Sequence, residues 1–131
     1  MNLNFKMSEL IYSETAIENN INNMPDINSL DNMLDLIVFC LQPVRNLLNV
    51  PMIITSGFRC KKVNELVGGV DTSQHLTGQA VDFIPNEMSI ENAIFKIQTS
   101  NIEYDQLINE YDRWVHISYN KGKNRRQNLK Y

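Results

Sequence analysis

The sequence predicts an α+β domain in which an antiparallel sheet of about four strands packs against helices. Three observations lead there. Apolar residues recur at three- and four-residue steps from about Ser29 to Leu48, short β-branched runs alternate with turn-rich stretches after Pro51, and 131 residues is the length of one domain. The whole chain, 1–131, therefore reads as a single domain with a basic tail at about 120–131.

From Ser8 to about Asn19 a short helix is expected, capped by Ser8, with Leu10, Ile11 and Ile17 available for burial. A turn containing Pro25 leads to the main core helix, about Ser29 to Leu48, whose stripe is Leu30, Met33, Leu34, Ile37, Leu41, Val44 and Leu48. Pro43 lies inside it and is expected to bend or divide it, because it has no N–H and crowds the preceding turn. Met52–Thr55 reads as a buried strand ending at Ser56-Gly57, and Cys60 to Val67 as a helix stopped by Gly68-Gly69. Val70 to Gly78 should be a loop feeding a strand over Gln79–Ile84. Ser89 caps a helix to about Gln98, and two further strands fall at Asp105–Asn109 and Arg113–Tyr119.

Composition narrows the function classes. A hydrophobic fraction of 43% and a charged fraction of 21% belong to a globular protein, and no apolar run approaches the ~20 residues of a membrane span. Net charge is −3 and the isoelectric point about 5.3, which argues against a nucleic-acid surface. Only KGKNRRQNLK is locally basic; contact with an anionic polymer is one reading of it, and a frayed, solvated terminus is the commoner one. Cys40, inside an apolar stretch, and Cys60 are too few for a disulfide framework and should be free thiols. The start, MNLNFKMSEL, has neither signal-peptide nor presequence character, so synthesis in the cytoplasm is expected, as is a monomer.

The two histidines lie beside turns or strand edges and not in an apolar helical stripe. His75 precedes Asp82 by seven positions with Gly78 between, so a loop can fold back and aim both side chains at one point. In WVHIS, strand alternation puts Trp114, His116 and Ser118 on one face and turns Val115 and Ile117 to the core. Two imidazoles and one carboxylate fill three corners of a tetrahedral site for one zinc ion and leave the fourth open, which is the arrangement of a catalytic centre.

SGFR, Asn64 with Gly68-Gly69, SQH, GQAVDF, DQLINE and WVHIS, in that order, resemble the M15 family of zinc D-alanyl-D-alanine peptidases over most of the chain. The likeness is closest to small phage endolysins and cell-wall hydrolases, related in site architecture to the hedgehog signalling domain and VanX-type dipeptidases. It implies a zinc carboxypeptidase or endopeptidase acting on peptidoglycan peptides, with His75, Asp82 and His116 as metal ligands. Peptide hydrolysis also needs a carboxylate for the water proton and a donor for the oxyanion. Glu110, six positions before His116, matches the base of the hedgehog-like branch; other branches keep an acid three positions before the last histidine, where this sequence has Arg113, with Asp112 offset by one.

Arg59 matches the family arginine that meets substrate, near its carbonyl or terminal carboxylate. Ser73 and Gln74 adjoin the first ligand and are candidate substrate contacts, and Trp114 is a candidate cleft wall. The expected setting is the cell wall, reached through phage lysis or as a virion component, without nucleic acid or membrane insertion. The alternative is a non-catalytic zinc-containing module that binds cell wall or protein, from which a working Glu110 would separate the enzyme.

Overall fold

The computed structural model describes residues 3–131. Its helices are α1 (Met7–Ile11), α2 (Glu14–Glu18), α3 (Ile27–Leu36), α4 (Gln42–Leu48), α5 (Lys61–Leu66) and α6 (Ile90–Gln98). The strands are β1 (Met52–Ser56), β2 (Ala80–Pro85), β3 (Gln106–Glu110), β4 (Trp114–Ser118) and β5 (Gln127–Lys130), joined in one sheet of order β1-β2-β4-β3-β5. All neighbours run antiparallel except β3 and β5. The α+β expectation holds, with one strand more than the sequence predicted.

One face of the sheet is core. Val81 and Phe83 of β2, Leu107 of β3 and Val115 and Ile117 of β4 are buried in one cluster with Met33, Leu36, Ile37, Leu41 and Val44. Alternation turns Asp82, Ile108, Glu110, Trp114 and His116 to the opposite face. Asp82 and His116 are direct cross-strand partners, and His116 is also opposite Ile108.

The main helical segment is longer and less regular than the spacing alone implies. Asp26, not Ser29, begins it, accepting the Ser29 N–H at 2.8 Å. A π turn over Ile37–Leu41 separates α3 from α4, with the Gln42 N–H bonding to the Ile37 carbonyl. Pro43 explains it: a regular α-helix would press the proline ring on the Phe39 carbonyl, and the widened turn changes the register before that clash. Leu34, assigned to the buried stripe, is 49% exposed.

Three other expectations are corrected. The first helix is two, because Ser13 starts a new one by accepting the Ala16 N–H at 3.1 Å; Lys6 and not Ser8 is the first cap position, and Ile17 is exposed. β1 is an edge strand, so Ile53 faces solvent while Met52 is buried. The tail is not frayed. Residues Gln127–Lys130 pair with Gln106–Asn109 as β5, and the Arg126 guanidinium caps the Ile102 carbonyl and stacks on Tyr104 at 4.7 Å. Cys40 and Cys60 are free, as expected, and burial pushes the Cys40 thiol pKa up. Among the described residues, no helix is long and apolar enough to cross a membrane.

Candidate metal centre

His75 arrives on a 3-10 turn, Gln74–Thr77, that ends at Gly78 with φ +73°. Gly78 is needed twice: for that left-handed backbone, and because a Cβ would lie 2.5 Å from the Ser29 carbonyl of α3. The turn is thereby pressed against the main helix. Two bonds then tie His75 to the segment following β1: the Arg59 N–H donates to the His75 carbonyl at 3.0 Å, and His75 Nδ1 donates to the Gly57 carbonyl at 2.7 Å. A carbonyl can only accept, so Nδ1 carries a proton and Nε2 is the ring nitrogen that faces Asp82.

The Gly57 segment is itself held from two sides. A Cβ on Gly57 would strike the Leu10 backbone, whose carbonyl accepts the Phe58 N–H at 2.6 Å. The buried Asn23 amide donates to the Ile11 and Phe58 carbonyls and accepts from the Cys60 N–H at 2.8 Å. Asn23 escaped the sequence reading, since it lies among several asparagines near Pro25 and only the folded contacts distinguish it.

His75, Asp82 and His116 converge. Asp82 Oδ1 lies 3.3 Å from His75 Nε2 and 3.0 Å from His116 Nδ1, and one ligand atom from each residue falls within 4.8 Å of the others. Tetrahedral bonds of about 2.0–2.1 Å would put neighbouring donors about 3.3 Å apart, so the N, N, O set fits a zinc-sized ion. Burial by itself would raise the Asp82 pKa, but the hydrogen bonds and charges of His116 and His75 outweigh it and hold the carboxyl below the usual range. The carboxylate is thus available as a charged ligand inside the protein.

Arg59 stands against the other oxygen of Asp82, with Nη2 3.6 Å from Oδ2. Its Nε donates to Ser56 Oγ at 3.1 Å and Nη1 to Asn64 Oδ1 at 3.4 Å, so each arm of the fork is fixed. Burial lowers the guanidinium pKa and Asp82 raises it.

A cleft of about 720 Å³ opens beside His116, and Ser73, Gln74 and Glu110 line it. Glu110 shares the metal face of the sheet and pairs with Trp114, which places it diagonal to His116. Burial and the Asp82 charge raise its pKa, against a smaller opposing effect of the histidines. Asp112 turns elsewhere: its carboxylate accepts from the Asn109 amide at 2.8 Å, and with Arg113 it lines a separate depression. Arg59 borders a neighbouring pocket and Trp114 is half-buried; neither is part of the wall beside His116.

The cleft has a wall that the sequence reading did not anticipate. Asp105, 1% exposed, accepts from the Gln74 amide at 2.8 Å and from Arg125 Nε and Nη2 at 2.9 Å each. Gln74 Oε1 is the buried side-chain polar atom left without a partner among the described residues. Lys123, Arg125 and Tyr131 of the tail also line this space.

A family model described as Peptidase M15 matches residues 3–118, almost the whole folded unit. The chain belongs to the peptidase M15 family. This M15 protein is accordingly a metallopeptidase, and the cluster of His75, Asp82 and His116 has the donor types that could hold a metal ion. No curated protein matches the chain. The M15 match ends at Ser118, so β5 and the loop before it lie outside it.

Proposed function

We propose that this M15 protein is a zinc-dependent peptidase of bacterial peptidoglycan, cutting stem peptides or cross-links at a D-amino-acid-containing linkage as a carboxypeptidase or endopeptidase. The observation that carries the reading is the position of Asp82 Oδ1 between two imidazole nitrogens, at 3.3 and 3.0 Å, next to a cleft that contains a carboxylate. Zinc held by His75, Asp82 and His116 would polarise the scissile carbonyl and make water acidic enough to attack it near neutral pH.

The protein supplies the remaining steps. Glu110 accepts the proton of the attacking water at a carboxylate oxygen and returns it to the leaving amine. Its raised pKa suits both halves of that task. Arg59, locked by Ser56, Asn64 and Asp82, donates to the carbonyl oxygen as negative charge develops there. Ser73 and Gln74 hold the peptide backbone along the cleft. Trp114 contributes the wall of the metal face, outside the cleft beside His116.

The cell-wall setting, as a phage lysis enzyme or virion component acting as a monomer, draws its support from the likeness of the ordered motifs to small phage endolysins. The test is incubation of purified protein and zinc with defined muropeptides, followed by mass spectrometry. New fragments that disappear with chelator are expected. No new fragment mass under either condition would overturn the proposal.

A further inference from the structure

The His75 turn has a second attachment besides the Gly57 segment, and it leads to the tail. Gln74 opens the 3-10 turn, and its carbonyl accepts the Gln79 N–H at 2.9 Å and the Thr77 hydroxyl at 3.2 Å. Its side-chain amide reaches out of the turn and donates to Asp105 Oδ2 at 2.8 Å. Asp105 is fixed in turn to β4, because its N–H donates at 2.7 Å to the carbonyl of Ser118, on the same strand as His116. One residue therefore joins the turn that carries His75 to the strand that carries His116.

The Asp105 carboxylate needs a cation. It is 1% exposed, and a buried carboxylate is costly unless it is paired and hydrogen-bonded. Arg125 meets both needs: its Nε and backbone N–H donate to Oδ1 and its Nη2 to Oδ2, each at 2.9 Å. Oδ2 is thus shared by Arg125 and Gln74, and since a carboxylate can only accept, the Gln74 amide must turn its NH2 group toward it. Arg125 holds Asp105, Asp105 holds Gln74, and Gln74 precedes His75 in the chain. The neighbouring Arg126 anchors the same tail differently, with Nη2 on the Ser100 and Ile102 carbonyls at 2.7 and 3.0 Å and its guanidinium over Tyr104.

We propose that Arg125 and Asp105 are positioning residues, which act through Gln74 to fix the His75 turn for metal binding. The proposal rests on the reading of His75, Asp82 and His116 as the metal ligands. Without Arg125 the buried carboxylate loses its paired charge, its hold on Gln74 loosens, and the turn samples positions in which His75 Nε2 no longer faces Asp82. Asp82 and His116 are held by sheet register, so the loss falls on one donor of the three. Arg125 lies beyond the matched residues 3–118, so a segment outside the family model tunes the centre inside it.

The experiment titrates zinc into the full chain against a chromophoric chelator and follows thermal unfolding of the same metal-free samples. Arg125→Ala and Gln74→Ala should each weaken zinc binding about tenfold, the low end for residues that orient a metal ligand. The double variant should lose no more than either alone, because both break one connection. Arg126→Ala is the control: it should lower the unfolding temperature and leave zinc affinity unchanged, since its side-chain bonds go to Ser100 and Ile102. Unchanged affinity in Arg125→Ala, or losses that add in the double variant, would overturn the positioning role. So would an equal loss in Arg126→Ala, which would mean that affinity follows the stability of the tail alone. His75→Ala separates the two readings. If it abolishes zinc binding while Arg125→Ala leaves binding intact, only the positioning role falls; zinc binding indifferent to His75→Ala overturns the ligand set and the positioning role together.

Discussion

Asp82 and His116 face each other across one rung of the β2–β4 pairing, with Asp82 Oδ1 3.0 Å from His116 Nδ1. Two members of the three-residue cluster are thus fixed by sheet register, and a one-residue slip of either strand would send its own member to the core face. His75 is different. It depends on a turn and on the carbonyl of Gly57, so the site's tolerance to mutation should be uneven.

Gly57→Ala should expose that dependence. Its Cβ would collide with the Leu10 backbone and displace the carbonyl that orients His75. Overpacking of this kind costs about 1–3 kcal/mol, and losing a ligand's orienting bond typically weakens metal affinity about 10–100-fold. Thermal unfolding and a competitive chelator titration would measure the two effects separately.

Asn23→Ala should destabilise the fold by about 2–3 kcal/mol, since it strips buried hydrogen bonds from three backbone groups that join α1 to the Phe58–Cys60 segment. Chemical denaturation would read the loss. An unchanged midpoint would mean that Asn23 is not the clamp described.

The clustering of His75, Asp82 and His116 was legible because the residue types are rare and the positions readable from strand pattern: the chain has two histidines, and strand alternation alone separates His116 from Val115 and Ile117. The tail was not legible. QNLK has one apolar residue and no alternation, and its strand exists because β3 offers an edge and buried Asp105 accepts three hydrogen bonds from Arg125. Helix breaks were half legible: Pro43 signalled a disturbance, but its form as a π turn depends on keeping Ile37 and Leu41 buried. Ser13 could cap only because Tyr12 leaves the helix at φ −55° and ψ 131°, which no local pattern requires.

Asp105 sets an acid limit on stability. Hydrogen bonding from Arg125 is the leading cause that lowers its pKa in the folded state, so the ionised form favours folding. That contribution is complete above the unfolded aspartate value of about 3.9 and is lost as pH falls toward the lower folded value. Asp105→Asn should flatten the stability profile in that acid window. Unfolding curves of the two proteins that remain parallel there would contradict the assignment.

Glu110→Gln should keep fold and metal while reducing turnover by about 10²–10⁴, the contribution typical of a positioned acid or base. In wild type the base must be ionised, and burial with the Asp82 charge raises its pKa. Activity should therefore fall, as pH is lowered, above the ordinary glutamate value of about 4.3. The pH profile of kcat/KM, with the variant lacking that limb, would test the role.

In the proposed mechanism His75, Asp82 and His116 hold one zinc ion. Native mass spectrometry reports ion count and compactness together. The wild-type chain should carry one zinc in its folded charge states, and His75→Ala, Asp82→Ala and His116→Ala should appear folded without it. A full equivalent of zinc retained by all three variants would contradict the site.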